Sequence, residues 1–192
     1  MVDKILLDSE VYEPAEDTFL LLKNLVDVKN KRVLDVGTGT GILAIEAYKR
    51  GGIVEGIDIN PKAIELAKKN AKLNNVNVKF YLSDLFSNVK GKFDVILFNP
   101  PYLPTEEDDI IDSYLNYAFD GGRDGRRVLD KFIDEVDKYL NKNGLVQIVQ
   151  SSLTDIDKTI ERFKNKGFEV KIVDKLKIPF EILVVINAKK RF

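Results

Sequence analysis

Apolar residues in this chain fall in short dense runs separated by stretches with helical spacing. Arg32-Val33-Leu34-Asp35-Val36, Ile53-Val54-Glu55-Gly56-Ile57-Asp58, Val78-Lys79-Phe80-Tyr81-Leu82 and Phe93-Asp94-Val95-Ile96-Leu97-Phe98 are rich in β-branched and aromatic side chains and end on Gly, Asp or Asn-Pro signals. Such runs predict buried strands. Between them, Ile42 to Ala47 and Asn60 to Leu73 predict helices, the second with Ala63, Ala67 and Ala71 at helical spacing beside Ile64 and Leu66. Asn60-Pro61 supplies its N-cap and first position, and Asn74-Asn75 stops it. Ala15 to Leu25 and Arg126 to Leu140 also carry one apolar face, and Met1 to Leu7 predicts a further short strand.

The C-terminal third ends differently. Gly144 opens a strand over Leu145 to Val149, a helix follows over Asp155 to Lys166, Gly167 stops it, and two strands lie near Phe168 to Leu176 and Ile182 to Ala188. Only Lys177-Ile178-Pro179-Phe180-Glu181 joins these strands, too little chain for a crossover helix, so they must pair antiparallel. The pattern predicts an α/β, doubly wound, mostly parallel sheet with a C-terminal antiparallel hairpin. Residues 1–192 then form a single domain, with 1–30 an N-terminal helix segment and 31–192 the core.

Four predicted strands end on residues with chemical use, and ligands of open α/β sheets bind outside the carboxyl ends of strands. Gly37-Thr38-Gly39-Thr40-Gly41 is a glycine-rich strand-to-helix turn, although its spacing departs from the dinucleotide fingerprint. About twenty residues on, Asp58 can accept both hydroxyls of a ribose. Asp84, in Ser83-Asp84-Leu85, can accept from an adenine amino group or cap a short helix over Leu85 to Asn88. Asn99-Pro100-Pro101-Tyr102 is the most informative stretch. Its prolines stiffen the loop and leave the Asn99 side chain and the Pro100 carbonyl as acceptors for the two hydrogens of a planar NH2 group. A plain Asn-Pro turn is the competing reading.

With these residues in view, the chain resembles class I S-adenosylmethionine-dependent methyltransferases, and among them the HemK family of protein-glutamine methyltransferases. Val11-Tyr12-Glu13-Pro14-Ala15-Glu16-Asp17-Thr18-Phe19-Leu20-Leu21-Leu22 and Gly121-Gly122-Arg123-Asp124-Gly125-Arg126-Arg127 resemble the short eukaryotic and archaeal branch that modifies class I release factors. With the glycine turn, Asp58, Ser83-Asp84-Leu85 and Asn99 to Tyr102, the match spans nearly the whole chain in family order.

The resemblance implies the seven-strand order 3-2-1-4-5-7-6. It also implies transfer of a methyl group from S-adenosyl-L-methionine to the glutamine N5 of a release factor's Gly-Gly-Gln loop, leaving S-adenosyl-L-homocysteine. Asn99, Pro100 and Tyr102 would be catalytic, with Pro101 completing the substrate loop. Thr18, Asp35, Gly37, Gly39, Asp58, Asp84, Leu85 and Asn99 would hold the cofactor, Thr18 as a lid over its methionine end. Asp35 stands where relatives often carry glutamate and reaches less far. Relatives also work with a small zinc-binding activator protein that extends the sheet, and the strand Asn77 to Leu82 would be the available edge. An adenine N6 methyltransferase and a catalytically silent subunit are the alternatives.

Composition narrows the chemistry. The chain has neither cysteine nor histidine, which removes thiol nucleophiles, thiolate metal sites and the commonest general base. A formal net charge of −1 argues against general nucleic-acid binding. No apolar run approaches membrane-spanning length, and Met1-Val2-Asp3-Lys4 does not open a signal peptide, so a cytoplasmic location is expected. Glu106-Glu107-Asp108-Asp109 reads either as a solvated flank or as a guide for a basic substrate. Gly121-Gly122 permits a tight bend into a helix capped by Asp124, while Arg123 and Arg126 could hold substrate backbone or the pocket rim.

Overall fold

The computed structural model describes residues 2–102 and 115–191. Parallel strands β1 (Arg32–Val36), β2 (Ile53–Asp58), β3 (Lys79–Leu82), β4 (Phe93–Phe98) and β5 (Leu140–Ser151) join β6 (Phe168–Ile178) and β7 (Glu181–Lys190) in one seven-stranded sheet, order β3-β2-β1-β4-β5-β7-β6. The β6–β7 pair is antiparallel, as the short connection required, and β5 also pairs antiparallel with β7.

Side-chain alternation along the strands builds a core on each face of the sheet. Leu34 and Val36 of β1, Ile96 and Phe98 of β4, and Val146 and Ile148 of β5 point to one side. There they meet Phe132 of α5 (Arg127–Glu135) and Phe163 of α6 (Ile156–Asn165). Val33, Val95, Leu97 and Val149 point to the other, against Leu21 of α1 (Glu16–Lys23), Ala44 of α2 (Ile42–Lys49) and Ala67 of α3 (Pro61–Leu73). Each fully buried side chain of this size contributes roughly 1.5–3 kcal/mol. Two covered faces explain why these strands read as nearly continuous apolar runs.

Several local expectations need correction. Residues 2–7 form no strand; they lie along α3, where Asn70 and Asn74 do the work of a neighbouring strand. Asn70 Oδ1 accepts from Leu6 N at 2.7 Å and its Nδ2 donates to Leu6 O at 3.1 Å, while Asn74 Nδ2 donates to Lys4 O at 2.7 Å. The short helix expected over Leu85 to Asn88 is a set of turns, because Ser83 Oγ takes the Asn88 N–H and donates to Leu85 O. The Arg126 to Leu140 helix tightens into a 3₁₀ turn at Val136–Tyr139, and β5 begins at Leu140 rather than Leu145. Asp124 accepts from Arg126 N in a turn ahead of α5 and does not cap the helix itself. Most of the acidic Leu103 to Phe119 stretch, including Glu106 to Asp109, lies outside the described residues; Asn116–Phe119 forms a short helix, α4.

Candidate active site

The carboxyl ends of β1, β2, β3 and β4 open into a cavity of about 440 Å³, within the ordinary range for small-molecule sites. The turn after β1 runs through Gly37 (φ 65°), Gly39 (φ 55°) and Gly41 (φ 85°), left-handed values that favour glycine, and it brings backbone N–H groups to the start of α2. Gly37, Gly39, Asp58, Asp84, Leu85, Asn99, Pro100, Pro101, Tyr102 and Thr18 all line this cavity.

Asp58 closes its inner end. Its Oδ2 accepts from Gly39 N and its Oδ1 from Asn60 N, both at 2.9 Å. Burial raises its carboxyl above the ordinary value, and those backbone N–H groups oppose the rise. Asp84 is exposed beside Lys131 Nζ at 3.4 Å and caps no helix. Leu85 adopts a left-handed φ of 47°, a strained placement for a branched residue that carries its backbone around the cavity wall. Ile59 and Val128 add apolar lining.

Asp35 is the exception: it does not line the cavity. Its side chain is fully buried, Oδ2 accepts from Thr38 Oγ1 at 2.7 Å, and Oδ1 has no partner among the described residues. Burial pushes its carboxyl up to about 7, opposed by the Thr38 hydroxyl and reinforced by Asp58. The short aspartate side chain thus holds the glycine turn from beneath.

At the other end, Asn99 follows β4 on the stiff Pro100-Pro101 loop. Its Nδ2 donates to Asp17 Oδ2 at 3.1 Å. Asp17 also accepts from Tyr12 OH at 3.0 Å and from Thr18 N at 2.7 Å. Tyr12 stands edge-on to Phe119, with ring centroids 5.5 Å apart, and both line the cavity. Tyr102 titrates well above its usual range because of burial, then the nearby Asp17 and Glu181 carboxylates, so it presents a neutral hydroxyl. No individual role is legible in the sequence for Asp17, Tyr12 or Phe119, although the first two stand in the Val11 to Leu22 motif. Asp17 reads as an ordinary first-turn acid of α1, and its reach to a residue on the other side of the chain leaves no local signal.

The glycine-arginine segment is a buttress. A Cβ on Gly125 (φ 70°) would lie 2.5 Å from the Tyr102 carbonyl oxygen, and one on Gly121 would lie 2.6 Å from Gly125 Cα, so these glycines let the segment press on the back of the Asn99–Tyr102 loop. Arg126 is buried away from the cavity, so of the alternatives open in the sequence it does not take a place at the rim. It donates to Thr154 O, Asp155 O and Thr159 Oγ1 and pairs with Asp130 at 2.7 Å. Arg123 is exposed and is not part of the cavity wall.

An open sheet of this order, with a glycine turn, a buried acid after the second strand and an Asn-Pro-Pro-Tyr loop at its strand ends, defines a class I methyltransferase architecture. The chain belongs to the methyltransferase small domain family, whose model matches residues 15–179. It is 64% identical over 186 residues to a protein of Methanocaldococcus jannaschii provisionally named protein N5-glutamine methyltransferase, covering 96% of this chain and 94% of that one. It is 33% identical to the Homo sapiens methyltransferase HEMK2, covering 84% and 81%. The solved E. cuniculi Mtq2–Trm112 complex, described as responsible for methylation of the eRF1 translation termination factor, aligns at a TM-score of 0.74 and 27% identity over 94% of this chain and 99% of that chain.

Proposed function

We propose that this protein transfers a methyl group from S-adenosylmethionine to the side-chain nitrogen of the glutamine in the Gly-Gly-Gln loop of a class I release factor. The observation that carries the reading is the commitment of the Asn99 NH2 to Asp17, which leaves Oδ1 as the end of this cavity-lining amide that can accept from a substrate. The names of the relatives above support the glutamine substrate.

S-adenosylmethionine supplies a methyl carbon made electrophilic by its sulfonium and leaves as S-adenosylhomocysteine. The size of the cavity, the glycine turn and the Asp58 carboxylate at its wall are suited to such a nucleoside. Gly37 and Gly39 would admit it, Asp58 would take its ribose hydroxyls, Asp84 and Leu85 its base, and Thr18 would close over the methionine end. Asn99 Oδ1 and the Pro100 carbonyl would each accept one hydrogen of the glutamine NH2, aligning its nitrogen for attack. Tyr102 would form the adjoining wall and exclude water. Residues 1–30 would then serve as the lid and 31–192 as the catalytic core of one domain. The described helices include none long and apolar enough to cross a membrane, and we read the protein as acting in the cytoplasm.

Strand β3 ends the sheet, with Leu82 exposed at its carboxyl end and Ile59 exposed just past the carboxyl end of the neighbouring β2. An unpaired edge beside apolar side chains suits a small activator protein that adds a strand, and we infer a zinc-binding one; the Mtq2–Trm112 neighbour is itself a complex of two proteins. Co-expression with such a protein should raise solubility or turnover; identical behaviour of the lone chain would count against it.

The substrate is tested by offering labelled cofactor with an intact release factor, the same factor with its Gly-Gly-Gln glutamine changed to alanine, duplex DNA and a single-stranded oligonucleotide. Label should enter only the intact factor. Label on adenine, with none on glutamine, would overturn the reading.

A further inference from the structure

We infer that Asp17 is a positioning residue that sets which end of the Asn99 amide faces the acceptor nitrogen; the inference rests on the reading of Asn99 as the group that holds that nitrogen. Asp17 is buried at 3% exposure, in the first turn of α1. Tyr12 OH donates to both of its oxygens at 3.0 Å, Thr18 N donates to Oδ1 at 2.7 Å with Thr18 Oγ1 at 3.3 Å, and Asn99 Nδ2 donates to Oδ2 at 3.1 Å. Burial and the Asp17 charge raise the Tyr12 phenol well above its usual range, so it stays a donor.

A carboxamide is nearly symmetric in shape, and only its hydrogen-bond partners decide which end is oxygen. A carboxylate accepts and never donates. Turning the Asn99 amide over would set Oδ1 against Asp17 Oδ2, two acceptors at hydrogen-bond distance, so one orientation is enforced. In that orientation Asn99 offers the substrate an acceptor. In the other it would offer NH2 to NH2, and the substrate nitrogen would lose a partner that directs its lone pair. The two residues are 82 positions apart, one on the N-terminal segment and one after β4, so Asn99 acquires its polarity only when α1 is docked on the core.

The polarity can be inverted with isosteric changes. In Asp17→Asn, the Thr18 N–H keeps the introduced oxygen at the Oδ1 position, so the introduced NH2 takes the Oδ2 position and Asn99 turns over to meet it. Turnover on a release factor should fall on the order of a hundredfold, with the cofactor dissociation constant changed less than about threefold. Asn99→Asp alone sets two carboxylates in contact and should also lose turnover. In the double variant D17N/N99D the introduced NH2 donates to the introduced carboxylate, which again presents an acceptor, and at least tenfold of the turnover lost in D17N should return.

A merely structural role for Asp17 makes the two losses add, so a double variant no better than D17N overturns the inference. So does near-normal turnover in D17N when Asn99→Ala is inactive. Near-normal turnover in Asn99→Ala would instead remove the reading of Asn99, and this inference with it. If D17N does not fold, the wild-type protein still decides: the Asn99 side-chain NH2, assigned by its loss in Asn99→Ala, should be protected from solvent exchange in NMR spectra. Exchange as fast as that of an exposed amide would contradict the inference.

Discussion

Asp58 accepts the backbone N–H of Gly39 at 2.9 Å, so the acid at the end of β2 and the glycine turn after β1 form one rigid unit. The carboxylate that would bind ribose is therefore also the brace of the turn that would admit the cofactor. Asp58→Ala should weaken S-adenosylmethionine binding by roughly 2–3 kcal/mol through loss of a charged acceptor. Asp58→Asn should not recover it, because both carboxylate oxygens accept backbone N–H groups, Gly39 N on one and Asn60 N on the other, and the introduced NH2 must face one of them. Calorimetry reads both; an unchanged dissociation constant would place the cofactor elsewhere.

The buried Asp35 should make stability fall as pH rises. Its carboxyl titrates near 7 in the folded chain against an ordinary 3.8, so between these values the folded state holds a proton that the unfolded state has released. The stabilisation is full below about pH 4 and is lost as pH rises through 7. The gap corresponds to about 4 kcal/mol at most. Asp35→Asn should flatten this part of the melting-temperature profile between pH 4 and 8; the same slope in variant and wild type would assign it to other groups.

Arg126 should matter for stability rather than for substrate. Its guanidinium joins the start of α5 to Thr154, Asp155 and Thr159 and is 2% exposed. Arg126→Ala leaves buried carbonyls and Asp130 without that partner and should cost about 3–5 kcal/mol. Denaturant unfolding measures the loss. A large rise in KM for the release factor with stability intact would return Arg126 to the substrate.

Gly125→Ala should act on turnover through the Asn99–Tyr102 loop. The added methyl collides with the Tyr102 carbonyl at 2.5 Å and also strains a φ of 70°, so the loop must shift. A tenfold or larger drop in turnover with cofactor affinity largely kept is expected. A folded variant with full turnover would show that the loop tolerates displacement.

Sequence periodicity carried most of the fold, since β1, β2 and β4 sit where apolar runs meet Gly, Asp and Asn-Pro signals. The errors arose where side chains stand in for backbone. Asn70 and Asn74 hold residues 2–7 without a strand, and Ser83 replaces a helix with turns. Neither leaves a periodic trace. The cavity-lining residues were legible because strand ends carry them, whereas Asp17 and the inward turn of Arg126 depend on contacts between distant segments. Asp35, placed at the cofactor by the family resemblance, is fully buried and is not among the residues that line the cavity.

The most direct test compares wild type and Asn99→Ala in single turnover on an intact release factor, with the modified residue located by mass spectrometry. Wild type should place one methyl group on the Gly-Gly-Gln glutamine, and the variant should do so on the order of a hundredfold more slowly while keeping most of its cofactor affinity. Equal rates, or a methyl group on any other residue, would contradict the account.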